Sequence, residues 1–256
     1  MFQFASRPVA ITGAGGGIGR RLVARFVEAG AAVIAFDRTP EMLADLPGIA
    51  FSAAFQMGDR AGAEAAIAAA SAAVGPIKVL VNNAGGARAE TLTDMTHEKW
   101  DEEVALNLTG TFQVTTPVLA AMRETGGGSI VTIGTVNALM HFGNPGYAAA
   151  KAGLVAYTKA IATEQGRFGI RANIVCPGST RTPAWNRRIE KDPTIVERLG
   201  RHYPIGRMVE PDEVASAVLF LASDLASGIS GAVLPVDGGL MAGMKAMTEV
   251  ITSETF

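Results

Sequence analysis

Cysteine is almost missing from this chain. A single thiol, Cys176, stands among 256 residues, which excludes an internal disulfide framework and any zinc site built on several thiolates. Histidine is scarce too. His97, His141 and His202 stand far apart with no HExxH-type spacing, so no metal site is expected. Net charge is nearly absent, with 22 basic against 24 acidic side chains, and a pI near 6.0 gives no electrostatic ground for a nucleic-acid partner. Long apolar runs are also lacking. Mean hydropathy is high at +0.26, yet the unbroken stretches span a handful of residues, against the roughly 20 that a membrane-spanning helix needs. No membrane association is expected. Met1 to Arg7 show no basic segment followed by an apolar one, so the cytoplasm is the default location. Hydrophobic residues at 48% and charged ones at 18% exclude intrinsic disorder. The apolar excess belongs in buried strands or subunit contacts.

What is present is an alternation. Short runs rich in Val and Ile, at Pro8–Thr12, Ala32–Phe36, Val79–Val81, Ser129–Ile133, Arg171–Val175 and Ala232–Val236, read as fully buried parallel strands. Between them, helical spacing covers about 17–30, 60–75, 96–125, 145–168 and 210–224. The last begins with Glu210-Pro211-Asp212-Glu213, a proline pre-set in φ with acids at the positive end of the helix dipole. Ala61–Val74 is alanine-rich and therefore helical rather than low-complexity. Strand–helix alternation predicts an α/β fold, a doubly wound parallel sheet covered on both faces. No composition break divides the chain. Gly178–Arg207, with three prolines, is the least regular stretch and is expected to be a loop lid over the substrate.

Thr12-Gly13-Ala14-Gly15-Gly16-Gly17-Ile18-Gly19 follows the first strand and opens a helix. Glycines there permit a tight turn and a close approach of a pyrophosphate to the backbone, with the helix N-terminus behind it. Asp37 closes the second strand about 20 residues later, where a carboxylate accepts hydrogen bonds from ribose hydroxyls and repels a 2′-phosphate. NAD is therefore expected over NADP, although Arg38 next to it offers a guanidinium that could pair with a phosphate. Tyr147 and Lys151 lie four apart and share one helix face. An ammonium beside a phenol is expected to lower the phenol pKa and make it usable as an acid or base. On spacing alone, such a pair is as readily a surface coincidence.

These motifs, with Asn82-Asn83-Ala84-Gly85, Asn107, Pro177-Gly178 and the ending Val214–Gly239 in this order, resemble the short-chain dehydrogenase/reductase family over about residues 6–240. The resemblance implies one Rossmann-type domain over 1–256 and hydride transfer between a nicotinamide cofactor and an alcohol or carbonyl. It implies Tyr147 as the acid/base, Lys151 lowering its pKa and holding the nicotinamide ribose with it, and Asn107 positioning a water in a proton relay. The substrate-orienting hydroxyl falls to Thr135, where relatives more often carry serine. Its separation from Tyr147 is 12 residues instead of the commoner 13, and the added methyl narrows the site. Cofactor contacts are implied for Gly13, Gly16, Gly17, Ile18, Gly19, Asp37, Arg38, Asn83, Ala84, Gly85, Pro177, Gly178, Thr180 and Thr182, and for Asp59 at the adenine, where it could equally cap the next helix.

Several residues carry plainer readings. Cys176 is expected to be a buried structural thiol. His141 and Trp185 are candidate substrate contacts. Arg187, Arg188, His202 and Tyr203 suit a polar or anionic substrate, with ordinary lid packing as the alternative. Arg20 and Arg21 read as a solvated helix surface. The tail Leu240–Phe256, with Met241, Met244 and Met247, is expected to reach a neighbouring subunit of a homotetramer whose contacts include the helices near 96–125 and 145–168. The leading expectation is an NAD-dependent dehydrogenase of a secondary alcohol. The alternatives are an NADPH-dependent 3-oxoacyl-thioester reductase and, less favoured, a non-catalytic dinucleotide-binding protein.

Overall fold

The computed structural model describes residues 3–87 and 91–255. Seven strands form one parallel sheet: β1 (Pro8–Thr12), β2 (Ala32–Asp37), β3 (Phe51–Ala54), β4 (Val79–Asn82), β5 (Gly128–Ile133), β6 (Ile170–Pro177) and β7 (Val233–Val236), in the order β3-β2-β1-β4-β5-β6-β7. The order reverses between β1 and β4, and the carboxyl ends of these strands open a crevice there. The register sets Val9 beside Val33 and Val79, and Ala10 beside Ile34 and Leu80. Successive side chains on a strand point to opposite faces, so the central strands feed two cores at once.

On one face, Val9, Ile11, Val33 and Val79 pack with Leu22, Val23 and Phe26 of α1 (Gly17–Glu28) and with Val214 and Val218 of α8 (Pro211–Ala222). On the other, Ala10, Ile34, Phe36 and Leu80 meet three helices. These are α2 (Arg60–Val74), α4 (Gly110–Glu124) and α5 (Pro145–Gln165). The fold is thus a three-layer, Rossmann-type single domain. No helix among the described residues is long and apolar enough to cross a membrane.

Three differences from the sequence reading have physical causes. Strand β3 was not anticipated: its four residues Phe-Ser-Ala-Ala include one large apolar side chain, and it lies at the sheet edge, half solvated. The helical stretch at 96–125 is interrupted. α3 (His97–Val104) passes through a π-helical turn at Ala105–Thr109 into α4, and a one-residue insertion of this kind leaves the apolar period nearly intact. The lid is not a loop. It contains α6 (Asn186–Lys191) and α7 (Ile195–Gly200), each of six residues, too short to display a repeating apolar stripe. The tail also orders, as α9 (Lys245–Thr252), with Met244, Met247, Val250 and Ile251 exposed. Phe256 lies outside the described residues.

Candidate active site

The crevice at the strand ends is a cavity of about 1600 Å³ lined from the glycine turn to the lid. Pockets for a single drug-sized ligand run to roughly 300–1,000 Å³. This one has room for two molecules.

At one end, Gly13 sits at φ +64, and a Cβ there would stand 2.9 Å from the Ala84 Cα. A Cβ on Gly17 would meet Thr182 at 2.6 Å, and one on Gly19 would strike the Gly13 carbonyl. The turn is therefore closed to larger residues on its packed side. On its crevice side, α1 begins with no side-chain cap and no acid in its first turn. Its N–H groups and the positive end of its dipole are left for an anion. Thr12 couples this turn to the next strand end, its Oγ1 accepting from Asn83 N and Ala84 N, both at 3.0 Å. Asn83 Nδ2 donates to the carbonyls of Thr12 and Gly13 at 2.9 Å. The Asp37 carboxylate lines the crevice and accepts from Gly15 N at 2.8 Å and Arg38 N at 2.7 Å. These features fit a dinucleotide, with its diphosphate at the turn and a ribose at Asp37.

Asp59 caps α2, Oδ1 accepting from Gly62 N at 3.0 Å, and Phe55, Gln56 and Met57, which precede it, line the crevice. His141 is exposed and outside the wall, which its neighbours Met140 and Phe142 form. Pro177, Gly178, Thr180, Thr182 and Trp185 line the crevice.

At the other end, α5 carries Tyr147 and Lys151. Lys151 is buried, its Nζ donating to Ile133 O at 2.8 Å and lying 5.8 Å from the centre of the Tyr147 ring. Burial lowers the Lys151 pKa to about 8. Tyr147, enclosed by protein yet open to the crevice, is pushed up to about 12 by burial, against a lowering from its hydrogen bond with the Thr135 hydroxyl. This corrects the expectation of a lowered phenol pKa. Loss of hydration outweighs the Thr135 hydrogen bond, and the Lys151 ammonium is turned toward the Ile133 carbonyl.

Thr135 lies two residues past β5 and caps the turn that follows, its Oγ1 also accepting from Asn137 N at 3.2 Å. The sequence reading missed Asn137. Its Oδ1 accepts from Phe142 N and its Nδ2 donates to Gly143 O, both at 2.6 Å, stapling the loop before α5. An amide two residues after the expected hydroxyl was the only signal for it. Asn107 lies in the π-turn and is fully buried. Its amide donates to Gly86 O at 2.8 Å and Glu103 O at 2.9 Å, and its Oδ1 accepts from Gly86 N at 3.0 Å. Its side chain thus braces the Asn83–Gly86 loop beside Lys151. Cys176 is fully buried, and burial raises its thiol to about 11. Tyr203 is a packing residue whose hydroxyl accepts from Ser179 N at 2.7 Å.

A nucleotide-cradling turn and a phenol–ammonium–hydroxyl group on one crevice define a dinucleotide-dependent oxidoreductase. Comparison with known proteins agrees. The family profile described as "Enoyl-(Acyl carrier protein) reductase" matches residues 13–241. An oxidoreductase of Schizosaccharomyces pombe is 43% identical over 97% of this chain and 96% of its own. The 3-oxoacyl-[acyl-carrier-protein] reductase of Thermotoga maritima is 39% identical over 90% and 96%. The crystal structure of a short-chain dehydrogenase/reductase from Burkholderia thailandensis superposes with a TM-score of 0.93, 44% identity and coverage of 98% and 99%. The chain belongs to the short-chain dehydrogenase/reductase family, whose members bind NAD or NADP.

Proposed function

We propose that the protein is an NAD-dependent dehydrogenase that interconverts a secondary alcohol and its ketone, with Tyr147 as acid/base. The observation that carries this reading is the meeting of the Tyr147 phenol, the Thr135 hydroxyl and the Lys151 ammonium on the crevice that also holds the glycine turn. The nicotinamide, when bound, supplies the position that accepts or returns hydride. Thr135 orients the substrate oxygen. In reduction the Tyr147 O–H bond breaks as an O–H bond forms on the carbonyl oxygen; in oxidation the phenolate takes the proton back. Lys151 offsets the phenolate charge, and Asn107 acts as a positioning residue for the loop against it. Tyr147→Phe removes the proton donor with little change of shape, so turnover falls by roughly 10²–10⁴-fold while the thermal midpoint stays put. A panel of secondary alcohols followed by absorbance of the reduced cofactor measures it. Undiminished activity of the variant on every alcohol would leave a non-catalytic dinucleotide-binding role.

The choice of NAD rests on Asp37, whose carboxylate disfavours a 2′-phosphate at the end of β2. A second reading, an NADPH-dependent reductase of 3-oxoacyl thioesters, draws on the Thermotoga relative and on Arg38 beside that carboxylate. Turnover with NAD against NADP separates the two. Asp37→Ser should move the preference toward NADP by at least about tenfold, the equivalent of 1.4 kcal/mol. We also propose a homotetramer, supported by apolar side chains left exposed on α4 and α9.

A further inference from the structure

The lid brings positive charge to the crevice on side chains that stay exposed at Arg187 and Lys191. On α6, Arg187, Arg188 and Lys191 all line the cavity, whereas the one acid of that helix, Glu190, does not. Positions i, i+1 and i+4 lie within about a third of the helix circumference, and cations four apart repel each other on an isolated helix. Arg201, His202 and Lys245 also line the cavity, whose lining carboxylates among the described residues are Asp37 and Glu249.

Not all of this charge is answered within the protein. Arg201 pairs with Glu197 at 2.6 Å and Lys245 with Glu249 at 2.8 Å. The Arg188 guanidinium lies over the Trp185 ring, 5.2 Å from its centre. Arg187 and Lys191 have no carboxylate partner among the described residues. The diphosphate of a cofactor is not what they await, because the uncapped start of α1 already offers backbone N–H groups to it. The cavity also exceeds what a single ligand fills.

We infer that the substrate is an anion: an alcohol or ketone carrying a carboxylate, sulfonate or phosphate away from its reacting carbon, held at the lid by Arg187 and Lys191. A guanidinium presents a planar fork to such a group and an ammonium a point charge, so the two together accept a charged oxygen cluster without demanding one geometry. Trp185, under the Arg188 guanidinium, lines the same cavity as Tyr147. The inference rests on the dehydrogenase reading for the reacting end, and on the lid alone for the charged end.

Two pairs of probes separate charge from reactive group. The first is acetoacetyl-CoA against the neutral acetoacetyl-N-acetylcysteamine thioester; the second is 4-oxopentanoate against its methyl ester. Titrated into protein loaded with oxidised cofactor, these ketones bind without turnover. The anionic member of at least one pair should bind tenfold or more tightly than its neutral twin, and this advantage should shrink between 50 and 500 mM NaCl. It should vanish in the double variant Arg187→Gln/Lys191→Gln, whose affinity for the cofactor alone stays within twofold. Preference in the first pair assigns the anion to a phosphate-bearing carrier, and in the second to a short oxo acid. Equal affinity of the twins, including no detectable binding of either, overturns the inference. So does a double variant that keeps the preference, or one that loses cofactor affinity to the same degree. If the anion preference stands while no alcohol or ketone is turned over with either cofactor, the dehydrogenase reading fails and the anion site survives.

Discussion

Two groups on one helix are shifted in opposite senses by loss of hydration. Lys151 is held near pKa 8 and Tyr147 near 12, both by burial, so at neutral pH the free protein presents a protonated phenol beside an ammonium. That state is ready to give a proton to a carbonyl. Alcohol oxidation needs the phenolate instead, so its kcat/KM should climb with pH between 6 and 8, by up to about tenfold per unit. Ketone reduction should stay level over the same range, and parallel initial rates in both directions check this. The same ammonium leaves a mark on stability. Between pH 8 and 10.5 the unfolded chain keeps a proton on Lys151 that the folded chain has shed, so stability rises with pH there. Below pH 8 both states hold the proton and the contribution is flat. Between pH 7.5 and 9.5 the wild-type protein should gain no more than about 2 kcal/mol relative to Lys151→Met, at 1.36 kcal/mol per unit. Urea midpoints across that range measure the gain, and parallel pH curves for the two proteins would mean that Lys151 is not a buried cation.

The elements differ in how openly the sequence announced them. β1, β2, β4 and β5 are runs such as Val-Ala-Ile and Val-Ile-Ala-Phe with both faces buried, and such runs need no long-range knowledge to be recognised. The glycine turn and the Tyr147–Lys151 face were readable for the same local reason. β3 and the lid helices were not, because their register and facing depend on what lies across from them. The direction of the Tyr147 pKa was hidden too, since burial is a property of the assembled crevice and not of a spacing. Asn107 shows a middle case. The residue stood out in sequence order, but its role depends on the π-turn at Ala105–Thr109, which aims its amide at Gly86. That close packing makes Gly85 a sensitive position. A Cβ there would stand 2.6 Å from Asn107 Oδ1 and 3.1 Å from Lys151 Nζ. Gly85→Ala should therefore shift the Asn107 brace and the ammonium together, costing about 1–3 kcal/mol of stability by overpacking and a larger share of activity. Denaturation midpoints beside kcat with saturating cofactor test this, and an alanine variant of full activity would show that the loop and Lys151 move independently.

Over the whole molecule, the two cores are closed on both sides of the sheet, yet large apolar side chains remain outside them. Phe112 on α4 is 51% exposed, and its ring meets Tyr157 of α5 edge to face, with centroids 5.9 Å apart. This joins the outer faces of the two helices into one patch. Val250 and Ile251 on α9 are 80% and 76% exposed, on a tail whose Lys245 and Glu249 line the crevice. A monomer would leave both surfaces in water, and burying a Phe-sized side chain is worth about 1.5–3 kcal/mol. In a closed symmetric assembly each such residue is counted once per subunit, so one substitution acts at every copy of its interface. Phe112→Glu places a carboxylate against its own symmetry mates if α4 forms the contact. The proposed tetramer should then fall to dimers or monomers on light scattering after gel filtration. Val250→Glu tests the tail in the same way, and the pattern of products separates the two interfaces: a dimer from each single variant, and a monomer from the double, is the outcome for a tetramer held by both. A wild-type protein that runs as a monomer at micromolar concentration would instead assign these apolar faces to a partner other than a second copy of the chain.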